Sequence, residues 1–318
     1  MVRLEDVLAA RAVVDRHLMR SPLERSPLLE AEHGVPVLLK LENTRPTRSF
    51  KVRGALNRIA ALDAAARRRG VVAASGGNHA QGVAYAAFVL GAPSTVVMPE
   101  TVAPAIVRTC RAYGAEVLLR GTIYDDTVAL AREIERDQGR TFVHPYGDPL
   151  VIAGQGTVGL EIVEDAPDAA TVVVPIGGGG LIAGVALAAK ERSGGRVRVV
   201  GVEPEGSDNV RRSVAAGRPV VLDAPTSVAE RLVARSTEQI VVDLARRYVD
   251  EIVTVSEDAL LAAAYAYLDR LSLLVEPSGA ASLAALASGA VPRTGPVALV
   301  VSGGNVGVAT LGRVLAGR

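Results

Sequence analysis

Short runs of β-branched and aliphatic residues alternate along the chain with longer, Ala-rich stretches whose apolar positions recur at helical spacing. Strands are predicted at PVLLKLE (36–42), GVVAAS (70–75), STVVMP (94–99), AEVLLR (115–120), TVVVPI (171–176), RVRVVGVEP (196–204), EIVTVS (251–256) and PVALVVS (296–302). Helices are predicted over 50–67, 78–90, 103–112, 124–138, 153–164, 180–191 and 257–270. The strands read as continuous apolar runs rather than as polar–apolar alternations, so both faces of their sheets are expected to be covered by helices. That pattern belongs to α/β folds with parallel sheets. The basic run AAARRRG (64–70) reads as the solvated end of a helix. The strand ends run into small and polar residues: SGGN, GGGG, EPEGSDN and SGGN again. In open α/β sheets the ligand crevice lies at those ends, so the chemistry is expected there.

Composition narrows the class. The 318 residues are 49% hydrophobic with 32 glycines, which suits a folded enzyme with a substantial core. A net charge of +1 gives no electrostatic case for nucleic acid or an anionic membrane, and three Phe with no Trp make a poor base-stacking surface. The single Cys110 excludes an internal disulfide. The first residues, MVRLEDVLAARAVVDRH, lack the apolar core of a signal peptide, and ALLAAAYAYL (259–268) is too short to span a bilayer. A soluble, cytoplasmic protein is expected.

Three motifs and one rare residue carry the chemistry. IGGGGLIAGVALAA (176–189) places four glycines between a strand and a helix. Bare N–H groups at a helix N-terminus suit a phosphate-sized anion. No Lys-Ser/Thr pair follows, and the G-x-G-x-x-G spacing is absent, so neither a Walker loop nor a dinucleotide fingerprint is present. ASGGNHAQG (74–82) repeats the strand-to-helix placement with Ser75, Gly76, Asn78 and His79, a loop suited to a carboxylate or a ring hydroxyl. Asn78 equally suits a helix N-cap, and His79 a hydrogen bond at the helix start. Ser302 ends the last strand in VVSGGNVG, where its hydroxyl either caps a turn or donates to a ring nitrogen. Lysine is scarce: only Lys40, Lys51 and Lys190 stand among 35 Lys and Arg residues. Only lysine can lose its proton and act as an amine nucleophile, which singles out Lys51 in RSFKVRGALNR. A phosphate cradle, a carboxylate loop, a lysine and a hydroxyl for a heteroaromatic nitrogen together fit pyridoxal phosphate.

The chain resembles the fold type II pyridoxal-phosphate enzymes of the threonine/serine dehydratase and serine racemase family. The resemblance runs through LKLEN, SFKVRGA, SGGNHAQGVAYAA, HPYGDPLVIAGQGTVGLEI, PIGGGGLIAGVA, GVEPEG, LLVEPSGAASLAAL and SGGN. It implies a two-lobed, tryptophan synthase β-like α/β fold. The larger, cofactor-binding lobe would comprise 1–44 and 146–318, and the smaller, mobile lobe 45–145. It implies Lys51 as the Schiff-base lysine, Phe50 beside the ring, Gly177, Gly178, Gly179, Gly180 and Leu181 around the phosphate, Asn78 at the ring hydroxyl and Ser302 at the ring nitrogen. Ser75, Gly76, Asn78 and His79 would grip the substrate carboxylate. A homodimer acting on a small amino acid is implied. The expected reaction is β-elimination from an L-3-hydroxy amino acid such as threonine or serine, giving a 2-keto acid and ammonia. Serine racemisation, or dehydration of 3-hydroxyaspartate, phenylserine or a hydroxyectoine-pathway substrate, is the alternative.

Several positions depart from the family pattern. Arg45 and Arg48 precede the lysine where Gln and Gly are usual, which bears on the substrate side chain that enters. Ala229-Glu230-Arg231 replaces Ala-Asp-Gly. The racemases of the family carry a serine at the position of Gly76, which has no proton to give. For the Mg2+ site of the racemase branch only Glu203 matches, with Asp208 and Asn209 nearby, and that ion is left open.

Overall fold

The computed structural model describes residues 2–316. Ten strands form two sheets: β1 (Leu23–Arg25), β2 (Val37–Leu41), β3 (Val71–Ala74), β4 (Ser94–Met98), β5 (Glu116–Leu119), β6 (Thr141–Phe142), β7 (Thr171–Pro175), β8 (Arg198–Pro204), β9 (Glu251–Val255) and β10 (Val297–Val301). The six-stranded sheet has the order β1-β2-β10-β7-β8-β9, and the four-stranded sheet the order β5-β4-β3-β6. All neighbours are parallel except β1 against β2. Each of the eight predicted strands is present. The two that sequence did not reveal, β1 and β6, are three and two residues long, too short to show a period.

Both faces of both sheets are covered. In the larger sheet Val173, Leu299 and Val301 pack with Tyr267 and Leu283, while the alternate residues Val172, Val174 and Val300 pack with Leu160, Ile182 and Leu187. In the smaller sheet Val71 and Ala73 meet Val52, Leu56 and Val83 on one face, and Val72 and Ala74 meet Ala131 and Ile134 on the other. The period of two along each strand thus divides one apolar run between two cores.

The predicted helix over 50–67 is two helices, Lys51–Ala60 and Ala64–Arg69. Asp63 accepts from the Ala66 N–H at 2.7 Å and starts the second, which buries no residue and stops at Gly70. The helix expected over 153–164 begins earlier, at Pro149, because the Asp148 carboxylate caps the N–H groups of Leu150 and Val151. Six further helices, among them Leu4–Val14, Gln239–Tyr248 and Pro277–Ala287, were not foreseen.

The helix that starts at Lys51 is anchored by a buried ionic cluster. Arg53 has no exposed side-chain surface and donates to Glu42 at 2.8 and 2.9 Å and to Glu161 at 2.7 and 2.8 Å. Glu42 directly follows β2, and Glu161 belongs to the helix Pro149–Asp165. Lys40 joins Glu161 at 2.6 Å, and Ser21 and Thr157 complete the hydrogen bonds. The surrounding cations hold the Glu42 carboxyl far below the usual carboxylate range despite its burial.

Removing one member of such a cluster strands the others as buried charge. Arg53→Ala is expected to lower the unfolding free energy by about 3–5 kcal/mol, read from urea denaturation beside the unaltered protein.

Candidate active site

Lys51 opens its helix directly after Phe50, whose N–H donates to the Ser302 carbonyl at 3.2 Å. Its half-buried amine donates to the Pro145 carbonyl at 2.6 Å and lies 5.3 Å from the centre of the Phe50 ring. The helix Asn78–Leu90 passes close by: a Cβ on Gly82 would lie 3.0 Å from the carbonyl carbon of Lys51. The other two lysines have carboxylate partners, Lys40 with Glu161 and Lys190 with Asp250 at 2.7 Å. Among the described residues no carboxylate pairs with Lys51. Desolvation without a compensating anion pushes its pKa down to about 8.

The four glycines follow β7 and enter the helix Gly180–Ser193. Gly179 has φ +89°, a left-handed conformation. A Cβ on Gly178 would meet the Tyr146 ring at 2.2 Å, and one on Gly180 the Tyr146 carbonyl at 2.7 Å, so no side chain fits at either position. The Gly177 carbonyl accepts from Asn209 Nδ2 at 3.2 Å and the Gly178 carbonyl from Thr237 Oγ1 at 2.9 Å. Those bonds orient the peptide planes. The N–H groups of Gly177 to Gly180 meet no backbone acceptor outside the helix among the described residues, and the first N–H groups of a helix have none within it. Leu181 is buried in the core beneath the loop.

The second loop is held from both sides. Ser75 Oγ accepts from the Gly77 N–H at 3.2 Å. Asn78 donates from Nδ2 to Glu276 Oε1 at 2.6 Å and accepts at Oδ1 from Asn305 Nδ2 at 2.8 Å. His79 is buried, and its Nε2–H donates to the Val143 carbonyl at 2.8 Å. Burial, helped by the Lys51 charge, pushes its pKa down to about 3, which keeps the ring neutral. Its hydrogen bond near the helix start agrees with the structural reading of that histidine.

Glu276 was not singled out from sequence. Its carboxyl is buried, and burial raises its pKa to about 7, opposed by the Arg231 charge and the Asn78 amide. A Cβ on Gly303 would lie 2.1 Å from Glu276 Oε1, so the SGGN motif near the C-terminus closes directly over this acid. The one available signal was a glutamate between apolar residues and a proline in LLVEPSG.

The three departing arginines have different fates. Arg45 does not line the site: it is buried, pairs with Glu42 at 3.2 Å and donates to the Met19 carbonyl. Arg48 is exposed and holds φ +55°, the left-handed conformation that the usual glycine would favour. Arg231 reaches the second loop, with Nη1 3.5 Å from the Gly76 carbonyl.

Glu203 is buried, and its two oxygens accept the N–H groups of Val210 and Arg211 at 2.9 and 2.8 Å. Asp208 is tied to Arg211 and Arg212. No group of three His, Cys, Asp or Glu suited to a metal gathers among the described residues. Glu203 therefore serves here as a helix cap, and the Mg2+ that the sequence left open gains no support.

Lys51, the second loop and the four-glycine loop, from distant parts of the chain, are joined through the segment 143–146. A reactive amine, a glycine loop with unclaimed N–H donors and the buried Ser302 accord with the groups pyridoxal phosphate requires. The profile of the pyridoxal-phosphate dependent enzymes matches residues 14–303. The chain belongs to that family. It is 41% identical over 315 residues to the L-threonine ammonia-lyase of Thermotoga maritima, covering 99% of this chain and 78% of that one. It is 42% identical to the phenylserine dehydratase of Ralstonia pickettii, covering 98% and 96%. The structure of maize serine racemase superposes with a TM-score of 0.93 at 32% identity, covering 99% and 97%. As a pyridoxal-phosphate enzyme of fold type II the chain confirms the α/β architecture expected from its motifs.

Three outcomes follow from this geometry. Covalent uptake of pyridoxal phosphate by the apo-protein needs the neutral amine, so its rate should rise with pH to a half-maximum at about 8, followed by visible absorbance. Lys51→Ala should abolish that band. Arg48→Gly removes the left-handed strain and should raise the unfolding free energy by about 1 kcal/mol, read from urea denaturation.

Proposed function

We propose that the protein is an ammonia-lyase that dehydrates an L-3-hydroxy amino acid to a 2-keto acid and ammonia. The observation that carries this reading is the Lys51 amine, half-buried, unpaired with any described carboxylate and held near a pKa of about 8. A base works best when its pKa lies near the working pH. Bound pyridoxal phosphate supplies the electron sink that makes the α-proton of the amino acid acidic.

The residues divide the work. The N–H groups of Gly177 to Gly180, above Leu181, would hold the phosphate. Phe50 would lie beside the ring, with Asn78 toward its hydroxyl and Ser302 toward its nitrogen. Ser75, Gly76, Asn78 and His79 would take the substrate carboxylate; Asn78 is held for this by Glu276 and Asn305. Lys51 removes the α-proton, that proton passes to the departing 3-hydroxyl so that water leaves, and the released enamine takes up water to give keto acid and ammonia. A lobe of 45–145 carrying the four-stranded sheet would close on a larger lobe of 1–44 and 146–318, pivoting about the start of the helix Lys51–Ala60, which Arg53 holds to Glu42 and Glu161 of the larger lobe. The assembly is a cytoplasmic homodimer; no described helix is long and apolar enough to cross a membrane.

Racemisation is the rival, favoured by the serine racemase likeness. It needs a proton donor on the face opposite Lys51, and Gly76 offers none. A Cβ at that position would lie 3.2 Å from Pro99 Cδ and 3.4 Å from Val102 Cγ2, so a serine fits with a small shift of those side chains.

The test is a panel of L-serine, L-threonine and L-phenylserine read as keto acid, beside interconversion of L- and D-serine. Keto-acid formation should exceed racemisation at least about tenfold, and Gly76→Ser should shift the ratio toward racemisation. Equal rates in the unaltered protein would assign the second face to another group such as Ser75.

A further inference from the structure

Arg231 is the one departing arginine that the fold delivers to the site. Its backbone lies between the two loops: its N–H donates to Ser278 Oγ at 3.0 Å, and its carbonyl lies 3.0 Å from where a Gly177 Cβ would stand. The side chain crosses to the carboxylate loop. A Cβ on Gly77 would lie 2.8 Å from Nη1 and 3.0 Å from Cζ, so the guanidinium rests against Gly77 itself.

The cation is poorly satisfied there. A guanidinium carries five donors in a planar fork, yet the one side-chain hydrogen bond of Arg231 among the described residues is to the Gly76 carbonyl, at 3.5 Å, the outer limit of such a bond. It forms no ion pair with a described carboxylate, in contrast to Arg45 and Arg53, although its charge is felt at Glu276. On the ammonia-lyase reading the α-carboxylate of a substrate is taken by Ser75, Gly76, Asn78 and His79. A substrate with a neutral side chain would leave this half-buried fork without an anion.

We infer that Arg231 is a specificity-determining residue that pairs with a second carboxylate on the substrate, so that the preferred substrates are 3-hydroxy dicarboxylic amino acids. This rests on the ammonia-lyase reading and names the substrate class within it. A bidentate guanidinium–carboxylate pair adds both energy and orientation, and it fixes the side chain of the substrate relative to the Gly76–Gly77 peptide.

The experiment compares the holoenzyme with its Arg231→Gly and Arg231→Gln variants on 3-hydroxy-L-aspartate and L-threonine, read as keto acid. Thermal unfolding with succinate, an unreactive dicarboxylate, is followed in parallel. In the unaltered protein kcat/KM should favour 3-hydroxyaspartate, and in both variants the ratio of the two kcat/KM values should fall about thirtyfold. Succinate should raise the midpoint of the unaltered protein well beyond acetate at equal ionic strength, and should lose that advantage in Arg231→Gln. An unchanged ratio, including an equal fall on both substrates, would overturn the inference and leave Arg231 as a tether for the loop. Keto acid from threonine with none from 3-hydroxyaspartate would overturn it while the ammonia-lyase reading stands. Keto acid from no 3-hydroxy amino acid would overturn that reading instead, with the succinate shift still reporting on Arg231. Should neither variant fold, equal shifts by succinate and acetate in the unaltered protein would overturn the inference.

Discussion

The buried ion cluster around Arg53 is the constraint on which the site depends. Arg53 follows Lys51 by two residues, and its guanidinium is tied to an acid after β2 and to another in the helix Pro149–Asp165. A buried charge tolerates little displacement, because every partner that moves away leaves a desolvated ion behind. The start of the helix Lys51–Ala60 is thereby fixed to the six-stranded sheet, although the rest of that helix packs on the four-stranded one through Val52, Leu56 and Ile59. Lys51 is positioned by charge on one side and by apolar packing on the other.

The lysine itself has no such company. Glu42 and Glu161 pair with Arg53, Arg45 and Lys40, whereas no described carboxylate pairs with the Lys51 amine, and desolvation disfavours its charged form. The same segment therefore contains a basic side chain stabilised as a cation and, two positions earlier, one whose cation is disfavoured. Environment rather than residue type separates them. At Glu276 the effect has the opposite sign: burial favours the neutral acid, which can then stand next to the Asn78 amide without bringing a full charge to the site.

Much of the fold was legible because its signals are local. Eight continuous apolar runs and the glycines at their ends needed nothing beyond neighbouring residues to be read. Strands β1 and β6 were not, since their existence rests on pairing with β2 and β3 rather than on their own composition. The break at Ala61–Asp63 in a helix otherwise continuous in pattern shows the same limit: a capping aspartate outweighs propensity. Within the site, Lys51 and the two glycine loops stood out by rarity and spacing. Glu276 and Asn305 did not, because a lone acid and a lone amide have meaning only through what they touch.

What the sequence determined by itself is therefore the α/β class and the family, and it singled out the glycine loop and the lysine as candidates, all through contiguous motifs. What only the tertiary structure decided is the charge state and company of each ionisable group. Arg45, Arg48 and Arg231 look alike as departures from one family pattern. In the fold one is a buried ion-pair partner, one a strained surface residue, and one a cation resting on the Gly76–Gly77 loop. Desolvation and pairing are set by atoms far apart in the chain, and no local pattern records them.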